Sequence, residues 1–188
     1  MNAKALFDAI RDIKGSPLTQ AEVDRINRIL SPPAPSSRKV SERGIDLIHS
    51  FESLKLTAYP DPGSRDGLPV TIGFGSTSDL EGRPINLGTV WTRAQADAKF
   101  AQDLERFETG VAEAIGDAPT TQSQYDAMVS LAYNIGLAAF RKSTLLRKHK
   151  AGDHVGAQAQ FGAWVMNDGK RMNGLVRRRA AEAGLYAS

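Results

Sequence analysis

The chain contains no cysteine among its 188 residues. That excludes a disulfide scaffold, a thiolate metal site and a cysteine nucleophile. Long apolar runs are also missing. The opening residues, Met1 to Gly15, alternate charged with apolar side chains and carry neither the apolar stretch nor the small-residue cleavage site of a secretory signal. Synthesis in the cytoplasm is therefore expected, with any substrate beyond a membrane reached through a lesion made by another protein. Histidine is scarce, and His49, His149 and His154 lack metal-ligand spacing, so neither a metal nor another cofactor is expected. Heptads and exposed apolar repeats are absent too, which predicts a monomer.

What is present fits a folded domain with a small extension. Apolar residues make up 41% of the chain and charged residues 24%, both ordinary for a globular protein. The formal charge of +3 conceals an asymmetry: from Phe140 to Ser188 there are ten bases and three acids. A cationic C-terminal quarter suits an anionic polymer. Nucleic acid is not favoured, because no stacking series, recognition helix or zinc site surrounds Arg177, Arg178 and Arg179. Stable membrane insertion is not expected either, since three consecutive arginines on a helix form no amphipathic face. One of the three is expected to pair with a carboxylate in a cleft.

Ser31 to Ser37 places three prolines within four positions and reads as a linker, spanning residues 31–39. Residues 1–30 read as a helical hairpin, broken at Gly15-Ser16-Pro17 and restarted by a Thr19/Glu22 capping box. It serves either as an accessory or as a packing extension. Residues 40–188 form the main domain. There Ser41 caps a helix whose inward face is Ile45, Ile48 and Phe51, which puts Glu52 at its C-terminal end. Turn signals and short apolar runs over 56–90 predict a small antiparallel sheet. Helical periodicity then predicts helices over 92–115, 121–134, 137–150, 153–165 and 174–185. The fold class is α+β: a small sheet lobe and a larger helical lobe with a cleft between them.

Glu52 at a helix end and Asp61 in a turn fit the pair of carboxylates that glycoside hydrolysis needs, one to give a proton and one to steer water or attack; the spacing alone equally fits two surface carboxylates. Phe51, Leu54 and Leu56 predict an apolar setting for Glu52 and the turn a polar one for Asp61, the contrast that separates acid from base. Thr71 offers a hydroxyl to hold water, and Gly73 and Gly75 are expected to bare the backbone for a sugar chain. His49 is expected at the surface, three residues before Glu52, and Trp91, Trp164 and Phe161 as core anchors.

The run from Phe51 to Gly63, followed by Thr71-Ile72-Gly73-Phe74-Gly75, resembles the signature of the bacteriophage-type lysozymes, the endolysin muramidases of glycoside hydrolase family 24. The segments from Thr121 to Gly136, from Ser143 to Leu146 and from Gly174 to Glu182 extend the resemblance over residues 40–188. It implies a lysozyme-like fold acting on peptidoglycan glycan strands, with Glu52 as general acid, Asp61 directing water and Thr71 holding it. The target would be the β-1,4 bond between N-acetylmuramic acid and N-acetylglucosamine. Nine residues separate Asp61 from Thr71 where the family pattern has five, and the longer loop carries Asp66 as an alternative second carboxylate. Ser53 and Ser76 stand where the family commonly has Gly and His. A lytic transglycosylase, which needs Glu52 but not Asp61, and an inactive wall-binding protein are the competing readings.

Overall fold

A computed structural model describes residues 13–19, 22, 38–61, 66–167 and 169–188. The chain divides into two units, the second running from Arg38 to Ser188. Most of the expected N-terminal hairpin and of the 31–39 linker lies outside the described residues. Within the first unit, Thr19 and Glu22 do exchange the hydrogen bonds of a capping box: the Thr19 N–H donates to the Glu22 carboxylate at 2.8 Å. Lys14 donates to the same carboxylate at 2.5 Å and, with Thr19, holds it down to about 2.

In the second unit, helix α1 spans Glu42–Phe51. Ser41 starts it twice over: its hydroxyl accepts from the Gly44 N–H, and its own N–H and O–H donate to Asp126. Ile48 is the deep member of the expected inward face, with Ile45 and Phe51 half-buried beside it. Strands β1 (Lys55–Pro60) and β2 (Val70–Gly73) pair antiparallel, with Tyr59 opposite Thr71 and Pro60 opposite Val70. This is the small sheet that the turn signals predict.

Helix α2 (Arg93–Ile115) and helix α3 (Gln122–Ile135) each begin with a full capping box, Thr92 with Gln95 and Thr121 with Gln124. Helix α3 is the centre of the helical lobe: Tyr125, Ala127, Met128, Val129, Leu131 and Ala132 are all fully buried, as in a helix surrounded by others. The single helix expected over 137–150 is two, α4 (Leu137–Arg141) and α5 (Thr144–Lys150). Ser143 breaks it, because its hydroxyl accepts from the Leu146 N–H at 3.1 Å and opens a new helix.

The helix expected over 153–165 also ends early. It comprises α6 (His154–Ala159) and a 3₁₀ turn over Gln160–Ala163, followed by a small antiparallel pair, β3 (Met166–Asn167) and β4 (Lys170–Arg171). Gly169 supplies the turn with a φ of 73°. Helix α7 (Asn173–Tyr186) then packs along α3 and closes the lobe. No helix among the described residues is long and apolar enough to cross a membrane.

Candidate active site

Glu52 terminates α1, its N–H donating to the Ile48 carbonyl at 3.2 Å, so its side chain projects from the helix end. It lies on the wall of a 660 Å³ cleft that Phe51, Asn134, Trp164, Met166 and Arg178 also line. Trp164 is thus a half-exposed wall of the cleft, whereas Trp91 and Phe161 are core anchors as expected.

The apolar setting expected for Glu52 is not what surrounds it. Leu56 is exposed, and the nearest charged group is the Arg178 guanidinium, whose Nη1 donates to Glu52 Oε1 at 2.6 Å. The arginine itself is held from behind. Its Nε donates to Glu182 Oε1 at 3.1 Å and its Nη2 to the Ser130 carbonyl. Glu182 is wholly buried and also takes Arg179 at 3.0 Å and the Ser130 hydroxyl at 2.7 Å. Burial pushes the Glu182 carboxyl above the ordinary carboxylate range against the pull of these donors, and it brings Arg179 down to about 10. Arg178 is the arginine that pairs in the cleft, while Arg179 serves the buried network.

Thr71 is buried on β2, its hydroxyl donating to the Pro69 carbonyl at 3.3 Å. Its ladder partner is Tyr59. Asp61 lies two residues beyond Tyr59 along the same chain direction, and its N–H donates to the Gly67 carbonyl at 3.0 Å, which closes the loop. Directly opposite each other on the two strands, Tyr59 and Thr71 share one face of the hairpin. The Tyr59 phenol is pushed up first by burial and then by the negative charges of both Glu52 and Asp61. Asp66 is exposed, and its carboxylate accepts from the Leu68 N–H at 3.1 Å within the loop.

Two further expectations are corrected. Gly73 does not bare the backbone to a ligand: it is buried, and a Cβ there would come within 3.1 Å of the Trp91 ring. Gly75 does lie open, beside Ser76 on a smaller 180 Å³ cavity. Ser76 is buried and donates to Asp103 at 2.8 Å. His49 is not a surface side chain but a half-buried ring stacked on Phe74 at 4.6 Å and packed on Phe100 at 4.4 Å. Among the described residues, no three of His, Asp or Glu are grouped so as to hold a metal.

Sequence reasoning left open which arginine enters the cleft and overlooked Tyr59, Ser130 and Glu182. A signal existed for part of this: Glu182 stands four residues after Arg178 and three after Arg179, the two spacings that meet on a helix.

Comparison with known proteins identifies the family. An endolysin of Acyrthosiphon pisum secondary endosymbiont phage 1 is 40% identical over 153 residues, covering 79% of this chain and 98% of that protein. An endolysin of Bacillus phage PZA is also 40% identical, over 150 residues, but the match spans only 55% of that longer protein. Among solved structures, an endolysin from Escherichia coli O157:H7 phage FAHEc1 superposes with a TM-score of 0.70 at 38% identity, covering 81% of this chain and 96% of that one. The muramidase domain of SpmX from Asticaccaulis excentricus gives 0.68 at 32%, covering 80% and 99%. The phage lysozyme family model matches residues 49–182, the stretch that begins just before Glu52 and ends on Glu182, and the chain belongs to that family.

Proposed function

We propose that this chain is an endolysin muramidase, hydrolysing the β-1,4 bond between N-acetylmuramic acid and N-acetylglucosamine in peptidoglycan. The observation that carries the reading is Glu52 itself, set at the end of α1 on the wall of the cleft and held there by Arg178 at 2.6 Å. A family match over residues 49–182 and a likeness to a muramidase domain support it.

In this mechanism the Glu52 carboxyl gives its proton to the glycosidic oxygen as the bond to the anomeric carbon breaks. Asp61 takes a proton from a water that attacks that carbon from the opposite face, and the Thr71 hydroxyl helps to hold the water. The products are two shorter glycans, one with a new reducing end, and the anomeric configuration inverts. Inversion requires the carboxyls to stand roughly 6.5–9.5 Å apart so that water fits between them. Arg178 orients Glu52, and Glu182 gives the guanidinium a second carboxylate to hold when substrate draws Glu52 toward the sugar. The chain works as a monomer, is made in the cytoplasm, and reaches the wall after release through a holin-type membrane lesion.

Digestion of purified peptidoglycan in water enriched in heavy oxygen tests the reaction type. The muramidase reading requires one labelled oxygen at each new reducing end. Unlabelled 1,6-anhydro ends would instead identify a lytic transglycosylase, and binding without cleavage an inactive wall-binding protein.

A further inference from the structure

A second groove, of 540 Å³, lies where the end of α2 meets α4 and α5, and it shares no lining residue with the Glu52 cleft. Four cations line it, Arg141, Lys142, Arg147 and Lys150, and no acid does. Its apolar lining comes from Ala114 and Leu146. Arg141 is paired with Glu113 at 3.0 Å, and Lys150 donates only to the Ala114 carbonyl at 2.9 Å. Lys142 and Arg147 are both exposed and, among the described residues, have no hydrogen-bonded or ion-paired side-chain partner. Cations in the last turn of α5 do stabilise that helix end. Arg141 and Lys142 stand at the end of α4 in the same way, so the cations of two helix ends are brought to one groove.

We propose that this groove binds a polyanion with phosphate charges along its backbone. Uncompensated cations beside low-dielectric walls focus a positive field, and a flexible chain of phosphates can meet several of them at once. A membrane surface fits less well. Amphipathic docking on lipid needs large apolar side chains beside the cations, and none of the exposed large apolar residues falls between Val90 and Val155. Single-stranded nucleic acid would call for aromatic platforms, and the groove has none. The binding rests on charge and stands apart from the muramidase reading; only the site where the polymer is met, in the wall, depends on that reading.

The test titrates the full chain with long-chain inorganic polyphosphate over a series of salt concentrations, comparing the wild type with the Lys142→Gln, Arg147→Gln double variant. Both substitutions are at exposed positions outside the catalytic site, and circular dichroism checks that folding is unchanged. The double variant is expected to bind at least about ten-fold more weakly in low salt, with the slope of log K against log salt reduced by about two, one for each cation. Its cleavage of short soluble glycans stays at the wild-type level. Equal affinities and slopes for the two proteins would overturn the proposal, as would tighter binding to phosphatidylglycerol vesicles than to polyphosphate. If polyphosphate binds as expected while the wild type cuts no glycan, the groove stands and the muramidase reading falls.

Discussion

Arg178 connects Glu52, the proposed proton donor, to the protein interior. Only 4% of its side chain is exposed, and it spans from Glu52 at the cleft to Glu182 in the core. Replacing it by methionine removes both bonds and leaves Glu182 with Arg179 and Ser130 alone. Breaking a buried pair costs about 3 kcal/mol or more, and a misplaced proton donor costs about 100-fold in rate. The Arg178→Met protein should therefore show both losses, one in urea unfolding and the other in glycan turnover. Unchanged turnover would contradict the orienting role. The motif that holds Glu52 and Thr71 was legible because it is local. The partner of Glu52 was not, because Arg178 lies 126 residues away and only folding selects it from three adjacent arginines.

His149 makes a second residue-scale prediction. It is buried, with Thr120 on one ring nitrogen and Tyr186 on the other, and His154 and Arg38 are nearby. Burial first, and then the positive charge of those neighbours, lowers it from 6.5 to about 4. Between those values the unfolded chain binds a proton that the folded chain refuses. Stability from this group is complete above pH 6.5 and is lost as the pH falls toward 4, by up to about 3 kcal/mol. Thermal unfolding of wild type and His149→Gln over pH 4–7 should show a flatter dependence in the variant. Parallel curves would assign the acid sensitivity elsewhere.

At the scale of elements, the caps made the starts of helices readable. Ser41 bonds the backbone where its side chain predicted, and Thr92 and Thr121 do the same at the starts of α2 and α3. The break at Ser143 was missed because apolar spacing runs on through Phe140, Leu145 and Leu146 and hides a serine that diverts one backbone N–H. The β3–β4 pair was hidden for a different reason: two-residue strands carry no alternation to detect. The turn out of β2 is the sharpest constraint in the small sheet. Gly73 has a φ of 67° and its missing Cβ leaves room for Trp91. Gly73→Ala should cost about 1–2 kcal/mol for the backbone alone, with more from the indole contact. Urea unfolding measures this, and a cost near zero would mean that the turn relaxes freely.

For the whole molecule, the second unit is tied together from its first residues. Arg38 donates to the Thr120 carbonyl at 2.8 Å, the Lys39 ammonium pairs with Glu108 at 2.9 Å, and the Val40 N–H donates to Glu108 at 2.7 Å. The sequence reading assigned Arg38 and Lys39 to the linker, since nothing in a Pro/Ser-rich stretch announces contacts with residues some seventy positions on. We expect a fragment of residues 38–188 to unfold in one cooperative step and to cut glycan as the full chain does, whereas a fragment beginning at residue 41 should be less stable. Equal stability of the two fragments would show that these bonds contribute nothing.

The central claim is that Glu52 and Asp61 act together in hydrolysis, with Asp66 confined to the loop. Digestion of purified peptidoglycan by the wild type and by Glu52→Gln, Asp61→Asn and Asp66→Asn proteins, with the products read by mass, tests it most directly. The account requires reducing ends from the wild type, a loss of roughly 10²-fold or more in both Glu52→Gln and Asp61→Asn, and near-normal activity in Asp66→Asn. Full activity in Asp61→Asn, or loss in Asp66→Asn instead, would contradict it.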